Sequence, residues 1–316
     1  MTRVFTHIIP LLLLAALLSC KTPEQPPRAG STTGQYSATP FTSTIHPIQC
    51  PGCVPSLEPS GILVKNNTVY FVSDDPTQQR IYSLQPGGRT YRAKVALPLH
   101  FPENLTRSMS HKLDLEGMSL AGDGVALVDE RNRNIYIVNN DGIVTPLTHD
   151  IGKYNLQHGI TFSDESNAGF EGIAVNQDNN TWYIANERNR ALVYVLTRRQ
   201  NTLKTTSHID LQKLLNDPQC DISDLYHEKG ALYLLYRKKR TIIKIDPRTT
   251  RVLAILSFAD ITSSLYTSKK GYGFAEGLFM NPSTVFLLLD SNGNKFRSRE
   301  GGEHGSMIIF PRPSGF

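Results

Sequence analysis

Short apolar runs alternate with clusters of Gly, Asn and Asp along most of the chain. Runs at 117–120, 125–128, 134–138 and 143–147 are separated by the turn-rich stretches 121–124, 129–133 and 140–142. The pattern returns at 172–175, 182–185 and 191–196, and again at 231–235, 242–245 and 252–256. Each run is four to six residues long and rich in β-branched or aromatic side chains, the signature of strands joined by hairpins. Four such runs per unit, without helical periodicity, predict the blade of a β-propeller. A helix is expected only at 210–215, between blades. The last unit, at 277–280, 285–289 and 307–310, is one strand short. Unpaired edges are costly in all-β proteins, so a strand somewhere in 36–54 is expected to complete it. The predicted fold class is all-β: a single β-propeller of four-stranded antiparallel blades closed by an N-terminal strand. Five repeats predict five blades; a sixth, built in part from irregular stretches such as 98–112 or 145–166, is the alternative.

The repeat carries acidic residues at fixed places. Asp114-Leu115-Glu116-Gly117-Met118, Gly169-Phe170-Glu171-Gly172-Ile173, Asp221-Ile222-Ser223-Asp224-Leu225 and Phe274-Ala275-Glu276-Gly277-Leu278 head successive units, and Glu58-Pro59-Ser60-Gly61-Ile62 is a degenerate copy. With Gly61, Gly117, Gly172, Asp224 and Gly277 aligned, the steps are 56, 55, 52 and 53 residues, a period that means an array of similar units. First strands of blades line the central channel, so Glu116, Glu171, Asp224 and Glu276 are expected near one mouth. Asp74, Glu130, Glu187 and Asp290 follow the second strands and are expected further out on the same face. Converging carboxylates repel, raise one another's pKa or recruit a cation; a hard cation with oxygen ligands fits, and in an exported protein that is Ca²⁺. The competing expectation is structural: carboxylates at blade turns accept backbone N–H bonds or pair with Arg on the next blade. Arg131, Arg188 and the basic turn 237–240 lie on that face, where they could receive a phosphate or an acidic sugar.

The N-terminus adds location. Arg3 precedes an eleven-residue apolar run, 8–18, which is a secretory core too short to span a bilayer. Leu17-Leu18-Ser19-Cys20 resembles the lipobox of bacterial lipoproteins, which implies lipidation of Cys20 and cleavage before it. Lys21 after the Cys implies the outer membrane. Residues 21–44, rich in Pro, Ser, Thr and Gly, read as a flexible tether, and 45–316 as the propeller. Three thiols remain, Cys50, Cys53 and Cys220; a structural disulfide, Cys50–Cys53 or one of these with Cys220, is expected. A net charge of +5, or +4 without Arg3, with no aromatic-basic motif, argues against nucleic acid as a partner.

The headers Asp114-Leu115-Glu116-Gly117 and Gly169-Phe170-Glu171-Gly172, with Asp129-Glu130-Arg131-Asn132 and Ala185-Asn186-Glu187, resemble the SdiA-regulated family and the related "esterase-like activity of phytase" family. The resemblance covers most of 55–316 and implies an exported β-propeller. Two departures stand out. Asp224 replaces a Gly, one position out of register with the Glu of the other repeats, and Tyr236-Arg237 stands where an Asp-Glu pair is expected. Two functional classes compete. One is a lipid-anchored module that binds a small ligand or a protein partner, with a divalent cation at the channel mouth. The other is a metal-dependent hydrolase of phosphoesters or lactones. No Gly-x-Ser-x-Gly or evident acid/base pair is present, which favours binding.

Overall fold

The computed structural model describes residues 33–39, 42–53, 57–108, 113–122, 124–162, 168–187, 191–262, 265, 275–292 and 304–316. The leader with Cys20 and most of the expected tether lie outside the described residues. Two strands come first, β1 (Gly34–Ser37) and β2 (Thr44–Gln49). Four-stranded antiparallel meanders follow. The first comprises β3 (Pro59–Lys65), β4 (Thr68–Ser73), β5 (Arg80–Gly87) and β6 (Thr90–Pro98). The second comprises β7 (Leu115–Ala121), β8 (Gly124–Asp129), β9 (Asn134–Val138) and β10 (Val144–His149). The third is β11 (Phe170–Asn176), β12 (Thr181–Asn186), β13 (Leu192–Arg199) and β14 (Thr202–Asp210). Then come β15 (Ile222–Glu228), β16 (Ala231–Tyr236), β17 (Thr241–Asp246) and β18 (Arg251–Ser257). Last are β19 (Ala275–Met280), β20 (Thr284–Leu289) and β21 (Ser306–Pro311), with β2 added antiparallel to β21. The N-terminal strand thus completes the last meander, as the missing strand requires. Turn chemistry follows the sequence: Asn66 and Asn67 both take positive φ (51° and 60°), as a two-residue hairpin between β3 and β4 demands.

Successive first strands pack side by side, β3 on β7, β7 on β11, β11 on β15, β15 on β19 and β19 back on β3, which is the arrangement of a β-propeller. The core lies between meanders. Because side chains alternate across a strand, neighbours in sequence serve different interfaces. Ile62 and Phe71 pack towards the last meander, whereas Leu63 and Val72 pack towards the second. Ile173 faces the second and Ala174 the fourth; Leu234 faces the third and Leu235 the last. Strands buried on both faces read as unbroken apolar runs, which explains Val285-Phe286-Leu287-Leu288-Leu289.

Outer edges are paired as well. β6 lies parallel to β2, β10 parallel to β14, and β18 parallel to β1, giving sheets of eight, eight and five strands. β1 falls within the segment expected to be tether, so that expectation is corrected: residues 34–37 are part of the sheet because the β18 edge would otherwise be open. Helices also exceed the expectation. α1 (Glu103–Ser108), α2 (Ile151–His158) and α4 (Ala259–Thr262) join the expected α3 (Leu211–Leu215), which Asp210 caps by accepting the Lys213 amide at 2.9 Å. α1 and α2 lie within the irregular stretches 98–112 and 145–166. Cys50 is bonded to Cys53, and Cys220 is a buried thiol whose pKa burial pushes up to about 12.

Candidate metal centre

Each first strand is interrupted at the repeat motif. The strand pairing slips between Pro59 and Ile62, Leu115 and Met118, Phe170 and Ile173, Ile222 and Asp224, and Ala275 and Gly277. An extra residue in a strand bends it and re-aims a side chain, and here the residues re-aimed are those just before the repeat Gly: Ser60, Glu116, Glu171, Ser223 and Glu276. The Gly itself is needed for close approach. A Cβ on Gly61 would lie 2.2 Å from the Glu116 carbonyl oxygen, and one on Gly117 would lie 2.7 Å from that of Glu171. Each motif Gly therefore abuts the next inner strand.

Eight carboxylates and two guanidinium groups surround a cavity of about 340 Å³ at this mouth: Glu58, Asp74, Asp114, Glu116, Glu130, Glu171, Glu276 and Asp290, with Arg131 and Arg237. Pro76 and Asn292 complete the described lining, which contains no Ser, Thr, Cys, His, Lys or aromatic side chain. Of the expected cation ligands, Glu116, Glu171 and Glu276 line the cavity, and so do Glu130, Arg131 and Asp290 from the expected outer set. Asp224 does not. It occupies the Gly register, and its carboxylate accepts the amides of Leu225 and Leu278, each at 2.8 Å, fastening β15 to β19. Glu187 is fully buried and is absent from the described lining. Arg188 lies outside the described residues.

The cavity is divided electrostatically by Arg237. Its Nη1 donates to both oxygens of Glu276 (2.7 and 2.6 Å), and its Nη2 donates to Glu187 (2.5 Å) and Asp221 (2.9 Å). Burial works against the charge, yet Glu276, Glu171, Asp221 and Glu187 outweigh it and hold the guanidinium firmly protonated. On the other side no guanidinium bridges several carboxylates among the described residues. Among the described residues Arg131 reaches Asp114 (Nη2 2.9 Å), and it is itself partly exposed. Glu116 accepts the Ser60 hydroxyl. Glu171 is 4% exposed and its carboxylate accepts no hydrogen bond among the described residues. Asp290 spends one oxygen on the Asn292 amide at 2.7 Å, while the other is buried without a partner.

The pKa pattern follows. Burial pushes Glu116 well above the carboxylate range, helped by the charges of Asp74, Asp114 and Glu130. Burial does the same for Glu171, with Glu187 and Glu116 adding to it and Arg237 opposing. Asp290 is raised to about 7, first by burial and then by Glu276. Two groups bring carboxylate oxygens within 4.8 Å of one another: Asp74, Asp114 and Glu116, and Glu130, Glu171 and Glu187. Such clusters can hold a metal ion, and an all-oxygen donor set suits a hard one.

Sequence reasoning missed Asp114, Asp221 and Glu58 as a third acidic position. The signal was present, because all three stand three residues before the aligned Gly61, Gly117 and Asp224. It also read Arg237 as a departure from an expected Asp-Glu pair and as part of a basic turn, whereas this residue bridges Glu187, Asp221 and Glu276.

Among solved structures, the fold is similar to glutaminyl cyclase of Myxococcus xanthus (TM-score 0.51, 8% identity, covering 89% of this chain and 100% of that one). It is also similar to virginiamycin B lyase from Staphylococcus aureus (TM-score 0.42, 11% identity, 81% and 67%) and to a luciferin-regenerating enzyme (TM-score 0.47, 12% identity, 81% and 78%). Likeness at these identities concerns the fold alone. Residues 105–296, which carry four of the five motif copies, match the sequence model of the SdiA-regulated family, and the chain belongs to that family.

Proposed function

We propose that this protein is an exported, lipid-anchored, five-bladed β-propeller that works as a binding module, with a divalent cation, Ca²⁺, held in the acidic cavity. The blade count rests on the five four-stranded meanders and on five clusters of apolar side chains between them, among the described residues. The lipobox supports the anchor at Cys20 and the outer-membrane location; Cys20→Ala should release the protein to the soluble envelope fraction, and retention would reject the anchor. The observation that carries the cation is Glu171, a buried carboxylate aimed into a cavity and left without a hydrogen-bond donor among the described residues. A buried charge in that state is costly unless a proton or a cation joins it. The alternative is a metal-dependent hydrolase, in which a cation-bound water attacks and a channel Glu acts as base; turnover of phosphoesters or lactones, lost in chelator and in Glu171→Gln, would favour it over binding.

Melting with calcium against chelator tests this reading. A ligand that binds only the native state adds about 2.7 kcal/mol at 100 times its Kd. For a domain of this size that is a rise of roughly 5–10 °C. An unchanged Tm at millimolar calcium would reject the cation.

A further inference from the structure

The repeat lets equivalent positions be compared across blade interfaces. The residue after the second strand is Asp74, Glu130, Glu187, Arg237 or Asp290 in turn; the residue before the repeat Gly is Ser60, Glu116, Glu171, Ser223 or Glu276. At three interfaces the first kind of residue meets the second kind from the following blade. Between the fourth and last blades that meeting is Arg237 with Glu276, an ion pair with N···O of 2.6 Å. Between the first and second blades it is Asp74 with Glu116, and between the second and third it is Glu130 with Glu171. Both are like-charge pairs, with carboxylate oxygens within 4.8 Å. At the remaining two interfaces the equivalent positions are Glu187 with Ser223 and Asp290 with Ser60, so only one member of each is acidic.

Resting on the proposed cation-binding reading, we infer that the cavity holds two divalent cations, one between Asp74 and Glu116 and one between Glu130 and Glu171, each doing for its blade interface what the Arg237 guanidinium does between the fourth and last blades. The repeat equivalence supplies the positions, and two further observations point to ligands there. Glu171 is buried and accepts no hydrogen bond among the described residues, and one buried oxygen of Asp74 likewise has no partner. Asp114 extends the first group, because its interaction with Arg131 uses a single oxygen, Oδ2, and leaves Oδ1 for a cation. Hard cations accept six to eight oxygens, so water would fill the rest of each coordination sphere from the cavity.

The same logic supplies the test. Glu130→Arg places a guanidinium where Arg237 stands in its own blade, so it should replace one cation. Isothermal titration of the chelator-treated, full-length protein with CaCl2 should give two ions per wild-type chain and one for Glu130→Arg. It should also give one for Glu171→Gln, a near-isosteric change that guards against an arginine variant that fails to fold. Asp74→Arg should remove the other ion, and Asp74→Arg/Glu171→Gln both. One ion per wild-type chain, or two retained in both Glu130→Arg and Glu171→Gln, overturns the two-cation arrangement while leaving calcium binding intact. No binding by the wild type overturns this inference together with the reading beneath it.

Discussion

At the scale of single residues, Arg237 and Glu171 show opposite ways of keeping a carboxylate inside a protein. Glu276 and Glu187 share, with Asp221, a guanidinium that belongs to the chain. Glu171 sits in comparable burial with no hydrogen-bond donor of its own among the described residues. Arg237→Gln would leave Glu187, Asp221 and Glu276 without their shared counter-charge. Breaking one side of a buried ion pair costs roughly 3–5 kcal/mol, so the metal-free variant should melt far below wild type. Calcium should then restore part of the loss, since the same three carboxylates would accept a divalent ion. A variant that melts like wild type in chelator would show that the guanidinium contributes nothing to stability. Glu116, Glu171 and Glu276 were legible from the repeat because one bulge re-aims the same position in each inner strand. Asp224 was misread because an acidic residue in the Gly register faces the neighbouring strand's amides, and residue type alone does not show that one-position shift. Arg237 was visible in the sequence, yet its role depends on three carboxylates from three different blades, which no local pattern displays.

At the scale of elements, the recurring problem is the exposed edge. Short apolar runs bounded by Gly-, Asn- and Asp-rich turns made the meanders legible, and the three-strand last unit made the closing strand β2 legible. β1 was not. It is four residues, Gly-Gln-Tyr-Ser, inside a polar Pro- and Ser-rich stretch, and it is a strand only because β18 offers unpaired backbone groups to it. The short helices were missed for a related reason: four to eight residues do not establish a helical period, and tertiary packing of such residues as Ile151 and Ile261 holds them. Outer edges in the other meanders are satisfied in pairs, so the fourth meander alone needs this extra strand. Tyr36 in β1 packs edge-on against Phe316 at 5.6 Å, which adds a side-chain anchor to the backbone pairing. Deleting residues 33–39 should leave a folded propeller with an open β18 edge, prone to pair with another chain. Light scattering should show concentration-dependent self-association of the truncated protein. A variant that stays monomeric at high concentration would mean that the edge needs no cover.

At the scale of the whole molecule, the described inner strands pack side by side in a ring of pseudo-equivalent positions, and the departures from symmetry carry the chemistry. One sector of the ring contains Arg237, whose single positive charge offsets part of the charge of Glu187, Asp221 and Glu276; in the sector from Asp74 to Glu171, burial and then neighbouring carboxylates raise the pKa of its members. A closed propeller cannot relieve that repulsion by moving one blade, because every inner strand is packed between two others. Protons or cations must do it, and the all-carboxylate lining favours hard cations. Anomalous diffraction from crystals soaked in calcium tests this most directly. The account predicts density at the mouth, with oxygens of Asp74, Asp114 and Glu116, or of Glu130 and Glu171, about 2.3–2.6 Å from it. Crystals at millimolar calcium with no anomalous peak among these carboxylates, and with the side chains turned to amides or to arginines, would contradict it.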